Sequence, residues 1–437
     1  MVFGNEKSFI WTPLVYLQRI SNQHLCIINV PADSWRKEKM IVIKKKKESI
    51  IYALILIYLT CYFIKLFDFP DLLMLVLGAI FCLILLLKQK KFRVDLGVCL
   101  IAITMFSYCI AVFGIRAIAI MMPYIPVLMY VLAHYLSKEI KKQDKSGLEL
   151  LKVIDCLVFG HAVHGVLNSY LYFAGYRWEG TRYWMDVWQR AIIPGTQLTL
   201  YYISVFAVLF PAIVYFSKRK LRNIAVILLS IFFVYASLAT RTRTTLLVLA
   251  LVFFLQGLLF VFLEKEKIMK NVTSKKIGIF LSVVVVLIVA LVFILKDLEI
   301  VRVFIDNLNK GGGILNNIRF RVQKQALSQI FDYPWGGSQM VMDLKLAHNV
   351  WLDLAHEAGI IPFFAFTGYT LWTLIELIRF VAKKEIVAEV KLMVVGIYAA
   401  FFLYYSIESA IRATVHFMSP WILVNGLVHG YITKNDN

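Results

Sequence analysis

The stretch LAHNVWLDLAHEAGI, Leu346 to Ile360, gathers His348, Asn349, Asp353, His356 and Glu357 into ten positions. Two imidazoles and two carboxylates at this density are the parts of proton transfer near neutral pH. A zinc-protease motif is not among the readings, because its second His would have to stand where Ile360 is. A helix starting near His348 would set Trp351, Leu352 and Ala355 along an apolar stripe. Asp353, His356 and Glu357 would share another face at i, i+3 and i+4, and are expected to satisfy one another there. His348 stands apart from that trio: it precedes the first turn, where a side chain can reach a substrate while its backbone stays anchored. It is the candidate general base, with Asn349 orienting its ring or the substrate.

The elements that must hold these residues are set by composition. The chain of 437 residues is 60% hydrophobic, has a mean hydropathy of +0.74, and contains 32 Phe and 22 Tyr. That excludes an ordinary soluble globule. Its apolar runs are about 17 to 25 residues long without period-2 alternation, so helices rather than a barrel satisfy the backbone in hydrocarbon. The expected fold is an all-α polytopic membrane protein of about twelve spans. They fall near 49–66, 70–87, 94–113, 117–136, 149–174, 195–216, 224–240, 244–263, 277–295, 359–379, 390–406 and 418–433.

The polar breaks KKKK, KQKKFR, SKEIKKQDK, SKRKLR, EKEKIMKNVTSKK and KKEIVAEVK fall on one side, which the positive-inside rule makes cytoplasmic together with both termini. Residues 1–48 form a cytoplasmic segment, with Met40 an alternative start that would make 1–39 an upstream extension; 434–437 form a tail. Two longer connections face outward, a loop at 176–195 and a large one at 296–358 before the tenth span. In the second, Ile318, Val322, Leu327, Ile330 and Phe331 recur at helical spacing, which predicts an amphipathic helix on the outer membrane surface, bracketed by GGG at 311–313 and PWGG at 334–337. All six cysteines lie in the first 160 residues, five of them within apolar runs, and imply no disulfide framework. The net charge of +20 is scattered between spans rather than gathered in a stripe, which argues against nucleic acid.

Lysine and arginine distribute differently across this topology. Of 31 Lys, five lie outside or at the outer edge; of 16 Arg, ten do: Arg116, Arg177, Arg182, Arg190, Arg241, Arg243, Arg302, Arg319, Arg321 and Arg412. A guanidinium presents a planar fork of donors that matches phosphate oxygens, so the outward excess points to a phosphate-bearing ligand at the outer leaflet. Arg241 and Arg243, two residues apart, do not share a helix face; the Thr and Leu order after it favours Arg243 as the one aimed into the bundle. His161 and His164 lie mid-span at i, i+3. With no carboxylate or Cys nearby in sequence they read as a buried hydrogen-bonded pair rather than a metal site.

Arg243 in TRTTLLVLA, the outer loop with IRFRVQKQALSQIFDYPWGG, and HNVWLDLAHEAGIIP leading into the next span together resemble the bacterial O-antigen ligase and polysaccharide polymerase superfamily. The likeness is clearest over residues 225–380. His348 and Asn349, a nine-residue spacer and Gly359 match the family's His-Asn, spacer, Gly pattern. Pro362 stands where the family often has a second Gly, and Gln323 lies where a Trp commonly follows the loop Arg.

The resemblance implies a GT-C-like glycosyltransferase, metal-independent and without a cofactor, acting on undecaprenyl-pyrophosphate-linked sugars at the outer face of a bacterial cytoplasmic membrane. Such a transfer needs cations for the departing pyrophosphate and a base for the acceptor hydroxyl. Arg243 and Arg319 suit the first role and His348 the second. Arg321, Asn349, Arg177, Arg182 and Arg190 are expected to bind substrate, with Trp178, Trp184 and Trp188 able to stack on sugars. The expected activity is polymerisation of lipid-linked repeat units; the alternatives are a ligase moving finished glycan to lipid A core or another acceptor, and a flippase. Expected partners are the lipid-linked repeat units, membrane lipids, a flippase and a chain-length regulator.

Overall fold

The computed structural model describes residues 49–66, 71–89, 94–114, 123–176, 183–188, 192–240, 242–265, 318–409 and 415–433. The expected ninth span at 277–295, the GGG turn, the terminal segments, Trp178, and Arg116, Arg177, Arg182, Arg190, Arg241, Arg302 and Arg412 lie outside these residues. The chain divides into two units, Met1–Leu54 and Ile55–Asn437; of the first, only the opening turns of helix α1 (Ser49–Ile64) are described.

The helices that follow are α2 (Asp71–Gln89), α3 (Leu96–Phe113), α4 (Tyr124–Gln143) and α5 (Leu150–Phe173), then α6 (Gly195–Phe206), α7 (Leu209–Val214), α8 (Lys220–Ala239) and α9 (Arg243–Leu263). In the later part of the chain come α10 (Ile318–Ser328), α11 (Val350–Ala358), α12 (Ile360–Ala382), α13 (Ala388–Ile407) and α14 (Ser419–Ile432). Among the described residues, eight helical stretches are long and apolar enough to cross a membrane, which makes this a multi-pass membrane protein.

Several elements differ from expectation for identifiable reasons. The expected fourth span at 117–136 is described from residue 123 onward, where α4 runs Tyr124–Gln143, past the expected end, and carries the basic residues Lys138, Lys141 and Lys142 in its last turns. Lys88 and Lys142 both bind Glu139, so this charged end is paired within the protein. The sixth span is broken between α6 and α7. Pro211 has no N–H to give the carbonyl of Ala207, four residues back, and the buried Gln256 of α9 donates to that oxygen instead at 2.7 Å. The loop at 176–195, expected to face outward, contains a two-stranded antiparallel ribbon, β1 (Tyr183–Met185) with β2 (Ile192–Pro194).

Helix α14 contributes a Gly426-x-x-x-Gly430 face. A Cβ at Gly426 would strike the backbone of Tyr130, and one at Gly430 the backbone of His134, so α14 and α4 approach at backbone distance. Helix α3 packs on α12, α9 on α13, and α5 on α6.

The amphipathic helix of the large loop is present as α10, but its buried stripe is Val322, Ala326 and Ile330, which pack with Met340, Ala347, Leu352 and Ala355. Ile318, Leu327 and Phe331, expected on one apolar face with Val322 and Ile330, are exposed together with Phe320 and Trp335. Val322, Ala326 and Ile330, at i, i+4 and i+8, face the protein, and Ile318, Phe320, Leu327 and Phe331 face outward.

Candidate functional site

The site is built on the C-terminal end of α13. Ser406, Ile407 and Glu408 there present carbonyls that no further helical turn can satisfy, and segments distant in sequence supply donors. Arg319 Nη1 donates to Ile407 O at 3.1 Å, a cation at the negative end of the helix dipole. Gln323 Nε2, one turn along α10, donates to Ser406 O at 3.2 Å and to His348 O at the same distance. Asn349 Nδ2 also donates to Ser406 O at 3.2 Å. Gln323, which departs from the motif the loop resembles, is therefore the residue that holds the carbonyl of the candidate base.

Glu408 lies at the centre, with its side chain almost entirely buried. Its Oε1 accepts from Arg319 Nη1 at 2.7 Å and from Thr244 Oγ1 at 2.7 Å, and its Oε2 lies 3.9 Å from His348 Nδ1. Thr244 is the second residue of α9, so its bond brings the first turn of that helix, which begins at Arg243, against the same carboxylate. Of the three residues expected to be catalytic, Arg319 and His348 thus face this acid, while Arg243 is the chain neighbour of its partner Thr244.

Glu408 is not among the sequence candidates. A signal for it exists: YYSIESA places one carboxylate at the end of an apolar run without a nearby lysine, and an ionisable group at such a position is a functional candidate by default.

His348 is held in an unusual backbone state. Its φ is +54°, in the left-handed region that a residue with a Cβ rarely adopts. Asp353 supplies the clasp that keeps it there: its Oδ1 accepts from Ala347 N at 2.7 Å and its Oδ2 from Asn349 N at 3.3 Å, one on each side of His348. Asn349 then caps α11 by accepting from Leu352 N. Both ends of the Asn349 carboxamide are engaged by the protein, so it orients the loop and not the imidazole ring. Burial and the charge of Arg319 hold the His348 pKa below its ordinary 6.5, against an opposing pull from Glu408. This environment favours the neutral ring, and the side chain is 28% exposed.

The expected polar trio is buried, and two of its members reach partners outside it. Asp353 serves the His348 loop, and Glu357 accepts from Tyr108 of α3 at 2.8 Å. The carbonyls of His356 and Glu357 accept from Ser338 N and Gly337 N, which ties PWGG to the end of α11. At Gly359, φ is +88° and a Cβ would collide with the carbonyl of Pro334, while a Cβ at Gly336 would strike the backbone of Gly359. The two glycines therefore let the loop and the α11–α12 corner touch backbone to backbone, with Ile360 N donating to Pro334 O at 2.9 Å.

Arg321, two residues from Arg319, lies on the other side of α10. It is exposed and paired with Asp343 at 2.6 Å. His161 and His164 are hydrogen-bonded as expected, His161 Nδ1 with Ser204 Oγ at 2.6 Å. A carboxylate does accompany them: Asp186, which directly follows β1, lies 2.8 Å from His164 Nε2, and the other ring nitrogen meets Ile64 O at 2.7 Å. Both nitrogens of His164 are occupied. Trp188, a candidate for sugar stacking, donates its indole N–H to Ile64 O.

No protein-family model and no curated protein matches this chain.

Proposed function

We propose that this chain is a GT-C-like membrane-embedded glycosyltransferase that polymerises lipid-linked oligosaccharide repeat units on the outer face of the bacterial cytoplasmic membrane. The observation that supports this most is the convergence of His348, Arg319 and the first turn of α9, bearing Arg243, on Glu408. Here an imidazole whose neutral form is favoured by burial and by Arg319 lies beside guanidinium, the pairing that sugar transfer from a pyrophosphate requires.

In the reaction, the acceptor hydroxyl oxygen forms a bond to the anomeric carbon of the donor sugar. The bond from that carbon to the pyrophosphate oxygen breaks, and its electron pair leaves with the pyrophosphate. The hydroxyl proton passes to the imidazole of His348. Arg243 and Arg319 stabilise the charge growing on the leaving group. Glu408 touches Arg319 and faces His348, and acts as a positioning residue for both. The donor is an undecaprenyl-pyrophosphate-linked repeat unit and the acceptor a second one, with no metal in the chemical step. Arg177, Arg182 and Arg190 contact the glycan or its phosphates from the outer loop.

The test is the lipid-linked species that accumulates in cells. His348→Ala should leave an inserted protein, no polymer, and single repeat units on the carrier, whereas His356→Ala should keep most activity. Finished polymer accumulating on the carrier would replace the polymerase by a ligase, and inward-facing repeats by a flippase. Normal chain production by purified His348→Ala would end the base assignment.

A further inference from the structure

We infer that the other end of the bundle holds a divalent transition-metal site, of the kind zinc occupies, formed by Asp95, His134 and His429. These residues come from three segments, the N-cap of α3, the middle of α4 and the last turn of α14. Asp95 lies thirteen residues before Tyr108 on α3, about 20 Å from the Glu357 contact at a rise of roughly 1.5 Å per residue, so this cluster is separate from the His348 site.

Asp95 divides its two oxygens. Oδ1 accepts from Val98 N at 2.9 Å and from Tyr130 OH at 3.2 Å, which fixes the carboxylate. Oδ2 faces two imidazoles, His134 Nδ1 at 3.7 Å and His429 Nε2 at 3.5 Å. Those separations are too long for good hydrogen bonds. They approach the edge of a tetrahedron whose ligands lie about 2.0–2.1 Å from a central ion, roughly 3.3–3.4 Å. One ligand atom from each residue lies within 4.8 Å of the other two.

Two further observations point to an ion. His134 is 3% exposed, and its Nδ1 has no hydrogen-bond partner although it is aimed at the cluster. A buried polar nitrogen in that condition costs free energy that a metal bond would recover. Second, His429 Nδ1 meets Glu376 Oε2 at 3.0 Å, and Glu376 Oε1 accepts from Arg379 at 2.7 Å. A carboxylate on the far nitrogen of a histidine fixes the tautomer that presents the near one to a metal. Stacking of the two rings, with centroids 5.0 Å apart, and the close approach of α14 to α4 at Gly430 hold the imidazoles side by side. A cavity of about 540 Å³ lined by Glu376, Arg379, Lys383, His429 and Thr433 opens against one of the three ligands, His429.

Three protein ligands from three helical segments, with Glu376 of α12 behind them, make this a clamp across α3, α4, α12 and α14. It stands whether or not the proposed sugar transfer is correct. The test is the metal content of the full-length protein purified in detergent without chelator. The wild type should carry close to one zinc per chain, lose it to a strong chelator, and regain a higher melting temperature when ZnCl2 is added. Cobalt substituted into it should show the visible bands of a four-coordinate ion. His134→Gln and His429→Gln should each abolish binding, and Glu376→Gln, which keeps all three ligands, should weaken it about 10- to 100-fold. His348→Ala should keep full occupancy. A wild type that neither retains nor binds zinc overturns the inference without any variant having to fold, and so do His134→Gln and His429→Gln proteins that bind it as the wild type does.

Discussion

Glu408 lies between Arg319 and His348, accepting from Arg319 Nη1 on one oxygen at 2.7 Å and placing the other 3.9 Å from His348 Nδ1. A carboxylate so placed fixes the guanidinium while remaining outside hydrogen-bond reach of the imidazole. Arg319→Lys should lower polymer formation by about 100- to 1000-fold, because a point charge cannot reproduce the planar fork. Glu408→Gln should cause a smaller loss by releasing Arg319. Rates in reconstituted vesicles at matched protein levels check both, and full activity of Arg319→Lys would show that the charge is merely solvated.

The pH profile follows from the same geometry. Burial and Arg319 keep the His348 pKa below 6.5, so the base is lost only on the acid side of that value. The acid limb of kcat/KM should therefore have its midpoint below pH 6.5. In Glu408→Gln it should move further toward acid, since Glu408 is the group pulling the pKa upward. A limb at or above 6.5 in the wild type contradicts the assignment.

Asp353 is expected to govern stability in the opposite direction. Burial, aided by Glu357, pushes its pKa from 3.8 up to about 7, against the bonds from Ser409, Ala347 N and Asn349 N. Between those values the folded protein binds more proton than the unfolded chain. Its contribution is thus complete below pH 3.8 and is lost as pH rises through about 7. Melting temperatures measured from about pH 4 to about pH 8 should show this decline, and Asp353→Asn should flatten it. Identical slopes in the two proteins would remove Asp353 from the account.

Gly359→Ala should be far more damaging than Gly368→Ala. The first adds a Cβ against the Pro334 carbonyl at a φ of +88°, whereas the second makes an ordinary 3.7 Å contact with Leu100. Backbone strain alone costs about 1–3 kcal/mol. The melting temperature of the purified proteins reads the difference; equal values would mean that the α11–α12 corner is not rigidly held.

Reporter fusions test the orientation. A fusion after Ser338 should read as external and one after Lys270 as cytoplasmic, because the lysine clusters alternate with the spans. A cytoplasmic reading at Ser338 would separate His348 from an outer-leaflet substrate and defeat the proposed function.

The multi-pass helical class is legible in the residues alone, since apolar runs such as Thr244–Leu263 and the one that starts at Ile360 can satisfy their backbones in a bilayer only as helices. His348, Arg319 and Arg243 also stand out along the chain, because residue type and local spacing carry that information. How they meet is a property of the packed helices. Glu408 escapes a sequence reading because its importance lies in partners 89 and 164 positions away, which no local pattern encodes. Gln323 shows the same limit: in sequence it is a departure from a motif, and in the structure it joins α10 to the carbonyls of His348 and Ser406. For α10, periodicity reports where apolar residues recur but not which row turns inward. That choice depends on the surface the helix meets, here the closely packed loop around Ala347 and Ala355. Hydropathy and charge act through local composition and can be read residue by residue, whereas a site assembled across helices exists only once packing has brought its parts within a few ångströms of one another.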